Sequence, residues 1–400
     1  MRILFVNEKL GFFGGVEQNA GDAAAGLRGR GHACFLAWGE RTDRAPEEYA
    51  RLFDGAWPCA ELGARVAGAQ DMAQIAAQAR PDVIYYHKAA RLPLEGTGGA
   101  RTVRMVHDHD LCCPRRHKYF LRTGRVCNHR ADWRCWFDGA FLARDRGRRL
   151  GARFVCLAAH RREMKRNQRL DALIVGSRFM RDELAQNGFD AGRIHLLAPM
   201  VRMADTRPAP LPEEPEILYV GQLIRGKGVD LLLRAVALLK VEWRLSIVGA
   251  GNGEGKLRDL CARLGLEGRV RFAGWTPHEA LGDFYDSARV VAAPSRWPEP
   301  FGMVGVEAMA RGRPVAGFAV GGIPDWLEDE VTGLLAPEQD VAGLAAALER
   351  LLADGALARR LGEAARQRYE ERYGFDRYLC KLESILSGQT PPAGKGADCA

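Results

Sequence analysis

The sequence predicts an α/β protein built of two domains, each around a parallel sheet. Short buried apolar runs that end in polar residues alternate with stretches of helical spacing, as a parallel sheet requires. A Pro-rich stretch without apolar period, TRPAPLPEEPE at residues 206–216, interrupts the alternation, and the same pattern begins again after it. The expected organisation is a first domain over 1–205, a linker over 206–216 and a second domain over 217–370. A helix over 371–388 then packs back on the first domain, and the composition of 389–400 predicts a disordered tail.

In order, RILFVN reads as a strand, EKLGFFGGVEQ as a loop and NAGDAAAGLRGRG as a small-residue helix ending at glycine. HACFLAW, PDVIYYH, ARTVRMVHDHD and DALIVGS follow as strands with helices between them. After the linker the strands are EILYVG, WRLSIVGAG, RVRFAG, ARVVAAPS and RPVAGFA, and FDRYLCKLESIL is the last apolar segment. Two such domains leave a cleft facing the carboxyl ends of both sheets, where α/β folds bind ligands, so the polar residues at strand ends read as one site.

A hydrophobic content of 47% over 400 residues is that of an ordinary globular protein, and no stretch approaches the ~18 apolar residues of a spanning helix. The opening run ILFV stops at Asn7, too short for a signal peptide, which sets the expected location in the cytoplasm. Ten cysteines without a C-x-x-C pair favour reduced thiols. Four of them, Cys112, Cys113, Cys127 and Cys135, crowd a segment that also holds His107, His109, His117 and His129. A structural zinc there competes with plain structural thiols, and the spacings fit no common ligand pattern.

The formal charge of +8 is uneven: residues 115–169 hold 17 Lys and Arg against four acids, a local +13, so the rest of the chain is net acidic. One reading is a solvated Arg-rich helical face. The other is a basic amphipathic element, RDRGRRLGAR and HRREMKRNQR beside FVCLAA, which suits anionic lipid or an anionic acceptor at the inner face of the membrane. No recognition motif or regular aromatic interleaving accompanies the charge, so nucleic acid is not the expected partner.

YVGQLIRGKGVD, Tyr219 to Asp230, nearly spells a P-loop, but the Ser or Thr that such a loop needs after its Lys is Gly228 here. A strand-to-helix turn with three glycines still exposes backbone N–H groups at a helix N-terminus, and Arg225 and Lys227 add positive charge, so a diphosphate can be held without a metal. The plain alternative is a tight turn with solvated charges. GFFGG at 11–15 is a second glycine loop, in which Gly14 and Gly15 allow close approach of backbone to phosphate. GAGNGEG from Gly249 has Glu254 where a dinucleotide fingerprint needs its third glycine, and reads as a turn. In PSRWPEPFGMVGVEAMARGRPV, Glu299 lies in a loop after a strand and Glu307 eight positions later in a helix beginning near Phe301. Both carboxylates can accept from a hydroxyl-rich ligand, with free amides offered by Gly302, Met303 and Val304. By spacing alone Glu307 is equally an ordinary helix-surface residue.

With these residues the chain resembles the retaining glycosyltransferases of family 4, over nearly its whole length. The resemblance rests on the E-x7-E motif of Glu299 and Glu307, on GGVE at Gly14–Glu17, His107-Asp108, VGS at Val175–Ser177, GKG, IVGAG, RFAG and GGIPDWLEDEVTGLL, all in family order. It implies the GT-B architecture, two Rossmann-like domains with parallel sheets facing a central cleft. It implies that Glu307 meets the ribose hydroxyls of a nucleotide diphosphate sugar, UDP- or GDP-linked. Glu299 and His107 would meet the donor sugar, Gly15 and Lys227 the diphosphate, and the backbone of Gly302–Val304 other donor groups. Family members commonly carry Arg where Gln222 stands, so that phosphate contact is missing or has passed to Arg225. No cofactor or metal is expected, the nucleotide sugar being a co-substrate.

The resemblance further implies front-face transfer to an acceptor hydroxyl with retained configuration, in surface-polysaccharide or lipopolysaccharide assembly. It also implies domain closure about the linker, and a lipid-linked or anionic acceptor on the side of the basic region. Three other readings remain open. His107-Asp108-His109-Asp110 contains the D-x-D with which another glycosyltransferase class holds a metal. A P-loop-like ATPase would need a Walker-B acid, which WRLSIVGAG and ARVVAAPS lack. A non-catalytic nucleotide-sugar binder could keep the same fold.

Overall fold

The computed structural model describes residues 1–120, 123–137, 139, 142–144, 152–200 and 209–389. The chain divides into two compact units. The first comprises Met1–Arg116, His129–Arg202 and Phe375–Ala400, and the second comprises His117–Asn128 and Met203–Gly374. Most of the expected tail, Arg148, Arg149 and residues 201–208, with the start of the expected linker, lie outside the described residues.

In the first unit the strands are β1 (Arg2–Leu10), β2 (Ala33–Arg41), β3 (Gly55–Pro58), β4 (Val83–Tyr86), β5 (Arg101–Val106), β6 (Leu142–Arg144), β7 (Ala152–Phe154), β8 (Ala172–Val175) and β9 (Ile194–Leu196). Seven of them form one sheet in the order β3-β2-β1-β4-β5-β8-β9, with every pairing parallel, while β6 and β7 make a separate antiparallel pair. The helices are α1 (Gly15–Gly29), α2 (Pro46–Ala50), α3 (Met72–Ala79), α4 (Arg134–Phe137), α5 (Leu157–Asn167) and α6 (Arg178–Gln186). Ile3, Leu4, Phe5 and Val6 are wholly buried, the continuous apolar run of a strand covered on both faces. The strand order reverses between β1 and β4, which places the loops after these two strands together at the end where α/β sheets bind ligands. β1 runs three residues past its predicted end, because Lys9 and Leu10 pair with Glu40 and Arg41 of β2.

The second unit repeats the plan with β10 (Glu216–Val220), β11 (Arg244–Val248), β12 (Val270–Gly274), β13 (Val290–Ala293), β14 (Val315–Phe318) and β15 (Gly333–Ala336), ordered β12-β11-β10-β13-β14-β15 and all parallel. Its helices are α7 (Val229–Val236), α8 (Glu254–Arg263), α9 (Leu281–Ser287), α10 (Met303–Ala310), α11 (Val341–Ala353) and α12 (Gly355–Arg372). Here the order reverses between β10 and β13, so the GKG turn after β10 and the PSRWPEP loop after β13 are neighbours at the switch point.

Two features depart from a chain that simply runs through one unit and then the other. The closing helix α13 (Phe375–Ser387) belongs to the first unit and packs on α1. A Cβ on Gly26 would stand 2.6 Å from Leu379, and the buried Asn19 amide donates to Tyr378 OH at 3.2 Å. Conversely, residues 117–128 fold as a small hairpin in the second unit. Phe120 N donates to Arg125 O at 2.9 Å and Cys127 N to Lys118 O at 2.8 Å, and Val126 N reaches Glu338 Oε1 at 2.9 Å.

Among the described residues Cys34, Cys59, Cys112, Cys113, Cys127, Cys135, Cys156 and Cys261 are free thiols. Burial pushes the Cys34 and Cys59 thiols up to about 12, so these two are inert packing residues. Among the described residues no group of three or more His, Cys, Asp and Glu is placed to hold a metal ion.

Candidate functional site

In the second unit the two strand-end loops meet side chain to side chain. Lys227 Nζ donates to both carboxylate oxygens of Glu299, at 2.7 and 3.0 Å, and Ser295 Oγ donates to Oε1 of the same carboxylate at 2.5 Å. Glu299 is buried, so its charge is held by one cation and one hydroxyl in place of water. The backbone around it is gripped from the other side, where Gly322 N donates to Glu299 O at 2.7 Å. Gly321, at φ 59, leaves no room for a Cβ against Glu299 N.

Gly228 explains why this turn is not a P-loop. It sits at φ 69, and a Cβ there would lie 1.8 Å from Pro294 O. The position that a P-loop gives to its hydroxyl is filled by the backbone of the neighbouring loop, so only glycine fits. Beyond it, Arg296 is buried and makes a bidentate pair with Asp230 at 2.8 and 2.9 Å, and it also donates to Arg225 O at 2.8 Å. This residue, which the sequence reading missed, ties the PSRWPEP loop to the GKG turn and the start of α7. Trp297 backs the same turn, packing on Gly226 and edge-on to His117 of the hairpin with ring centroids 6.1 Å apart. The Arg225 and Gln222 side chains are exposed beside it. The GAGNGEG segment is a turn whose glycines meet backbone: Cβ atoms on Gly251 and Gly253 would lie 2.5 and 2.7 Å from Leu223 O.

Glu307 is buried on α10, which excludes the helix-surface alternative. Tyr285 OH donates to its Oε2 at 2.6 Å, and His278 Nε2 lies 3.5 Å from its Oε1. Burial, then the charge of Glu307, holds the Tyr285 hydroxyl far above its ordinary range, so it stays a neutral donor. The helix carrying Glu307 starts at Gly302, in the left-handed region at φ 96, and leaves the amides of Met303 and Val304 at its first turn. Trp326 fixes that start by donating to Phe301 O at 2.7 Å, and Gly305 is required beneath it, since a Cβ there would stand 2.1 Å from the indole.

In the first unit Gly14 and Gly15 open α1 directly after the loop at 11–13. Lys9 stands 3.0 Å above the Phe13 ring and Arg44 donates to Phe13 O at 3.0 Å, so two unforeseen cations flank this loop. Glu17 is buried, and accepts from Asn7 Nδ2 at 3.1 Å. His107 follows β5, with Nε2 2.9 Å from Nδ1 of His87, and burial holds it down to about 3, so the ring is neutral at physiological pH. The acids of the D-x-D are engaged locally. Asp110 pairs with buried Arg104 at 2.5 Å, while Asp108 pairs with Lys88 at 3.3 Å and caps the Asp110 amide at 2.8 Å. Asp110 is nonetheless pushed up to about 6, because burial outweighs the arginine. Both carboxylates of the D-x-D are thus paired with cations of the same unit.

Residues 13–204 match the family described as Glycosyltransferase Family 4, and residues 204–368 match the family described as Glycosyl transferases group 1. A D-inositol 3-phosphate glycosyltransferase of Streptomyces bingchenggensis is 36% identical over 241 residues, covering 54% of this chain and 52% of that protein. The chain thus spans about half the length of the curated relatives it matches. Among solved structures, Anabaena Alr3699/HepE in complex with UDP superposes with a TM-score of 0.72 at 19% identity, over 97% of this chain and 100% of that one. The sucrose-phosphate synthase of Thermosynechococcus elongatus gives 0.72 at 21% identity, over 96% and 98%. At such identities these two likenesses speak for the fold.

Proposed function

The chain belongs to glycosyltransferase family 4 and has the GT-B fold, and from that premise we propose that it is a retaining glycosyltransferase that moves a sugar from a nucleotide diphosphate sugar to an acceptor hydroxyl. The observation that carries the proposal is the pairing of Lys227 with Glu299 at the β10/β13 switch point, beside the buried Glu307 and the open first turn of α10. In this reading Glu307 accepts from the ribose hydroxyls, already oriented by Tyr285. Lys227, the exposed Arg225 and the amides of Gly302, Met303 and Val304 take the diphosphate and its developing charge. Glu299 and His107 take hydroxyls of the donor sugar, and Gly14 and Gly15 let the start of α1 approach the diphosphate.

The bond from the anomeric carbon to the diphosphate oxygen breaks, the acceptor oxygen bonds on the same face, and the acceptor's proton passes to the departing diphosphate. Chain groups contribute position and charge. UDP-glucose, present in an Alr3699/HepE structure, is the first donor to try. With any active donor, the product's anomeric configuration read by NMR is expected to equal that of the donor, and an inverted product contradicts the mechanism.

The basic region supports a second element of the proposal, docking of a lipid-linked or anionic acceptor at a membrane surface, with a role in surface-polysaccharide or lipopolysaccharide assembly. Among the described residues no helix is long and apolar enough to cross a membrane. Arg161, Arg162 and Lys165 are exposed on α5, and Trp133, Phe137 and Phe154 are 65%, 83% and 79% exposed in the same stretch of chain. Aromatic rings among cations suit a headgroup boundary. Partitioning onto vesicles containing phosphatidylserine is expected to fall roughly 30-fold in the double variant Arg161→Gln, Arg162→Gln, at about 1 kcal/mol per lost charge. Unchanged partitioning removes this element and leaves the transfer reaction untouched.

A further inference from the structure

His87, to which the proposed reaction assigns no role, directly follows β4 and is 1% exposed. Its ring is fixed from three directions: stacked on Phe5 at 5.7 Å, edge-on to Tyr85 at 4.4 Å and stacked on His107 at 5.1 Å between centroids. Its backbone N–H donates to Val6 O at 2.9 Å, which anchors it to β1 at the switch point of the first sheet. Nδ1 of His87 lies 2.9 Å from Nε2 of His107, whereas Nε2 of His87 is buried with no hydrogen-bond partner among the described residues.

A neutral imidazole carries one N–H and one lone pair, so the contact between the rings admits two assignments. If His107 donated, the proton of His87 would sit on Nε2, as a buried N–H with no acceptor. If His87 donates through Nδ1, the orphan is only a lone pair. Buried N–H groups without acceptors are the rarer defect in folded proteins, and their desolvation is not recovered. The second assignment is therefore favoured, and the proton of His107 must then sit on its own Nδ1. Neutrality of the pair is consistent with burial, which holds both imidazoles below their ordinary range.

We propose that His87 is a positioning residue that locks His107 as the Nδ1–H tautomer, so that His107 offers its ligand an N–H donor and not a lone pair. In the glycosyl-transfer reading, on which only the identity of that ligand rests, the N–H meets an oxygen of the donor sugar or its diphosphate. His107 then serves as a neutral donor and is unsuited to take the acceptor's proton. His87 keeps its own ring out of the site and acts only through His107.

Long-range proton–nitrogen correlation spectra of the full chain labelled with ¹⁵N-histidine read the tautomer directly, the His107 pattern being identified by its loss in His107→Gln. Wild type is expected to show His107 protonated on Nδ1. His87→Asn, whose amide nitrogen stands where Nδ1 stood, is expected to keep that state, and His87→Phe, which retains the packing but has no N–H, to show both tautomers. A wild-type His107 protonated on Nε2 overturns the proposal, as does a tautomer that His87→Phe leaves unchanged; the wild-type spectrum decides even if a variant fails to fold. In the transfer assay His87→Phe is expected to lower kcat by about 10- to 100-fold with donor KM little changed, and His87→Asn to retain more activity. Equal losses in the two variants also overturn it. If no donor supports transfer, the glycosyltransferase reading fails while the spectra still decide the tautomer.

Discussion

Lys227→Ala is expected to lower turnover by about 100-fold or more while the second unit stays folded. Lys227 is the cation nearest the buried Glu299 carboxylate, donating to both of its oxygens. Its ammonium has three donors, so it can keep one bond to the carboxylate while turning another toward a diphosphate oxygen. Removing it takes positive charge from the leaving group and leaves Glu299 with Ser295 as its hydroxyl donor, free to turn from the geometry that would meet a sugar hydroxyl. Both losses fall in the transition state, so the effect belongs in kcat. Turnover at saturating donor, beside a thermal melt of the variant, measures it, and a rate within about threefold of wild type contradicts the role given to Lys227.

Gly228→Ser restores the residue a P-loop would have, and the geometry predicts damage instead of a new activity. The backbone there is left-handed at φ 69, and Pro294 O occupies the space a Cβ needs, 1.8 Å away. Either the turn leaves its conformation or the β13 loop is pushed back, and that loop carries Ser295, Arg296 and Glu299. Strain and overpacking together predict a destabilisation of about 3 kcal/mol or more. Urea unfolding reads this, and an assay for Mg²⁺-dependent ATP hydrolysis is expected to show none. A stable variant that hydrolyses ATP would revive the ATPase reading.

What could be read from the sequence is what lies close along the chain. The strands around both switch points announced themselves as apolar runs, and the GKG turn and the Glu299/Glu307 spacing each fall within a dozen residues. Contacts between distant residues gave no such sign. Arg296 and Asp230 are 66 residues apart, and Arg296 looked like one more loop charge because its burial depends on the neighbouring strand end. Tyr285 and Glu307 are 22 apart on different helices, and nothing periodic links them. β3, β6, β7, β9 and β15 were not among the predicted strands, whereas β4, β8, β13 and β14, four residues each, stood out as uniformly apolar or small runs. Glu8–Leu10 read as loop from their charges, yet continue β1 because β2 supplies ladder partners. Residues 117–128 lie inside the 107–135 segment that suggested metal and the 115–169 region that suggested lipid, whereas their described contacts include Glu338 and Trp297 of the second unit.

The central claim is that this chain holds a nucleoside diphosphate through side chains and helix ends, without a metal. A thermal-shift panel of UDP, GDP, ADP, CMP, dTDP and ATP, each with and without EDTA, tests it most directly. A ligand at 100 times its dissociation constant adds about 2.7 kcal/mol of stability. One nucleoside diphosphate is expected to raise the melting temperature equally with and without EDTA, and its base names the donor. Stabilisation by ATP alone, and only when Mg²⁺ is present, would contradict the claim.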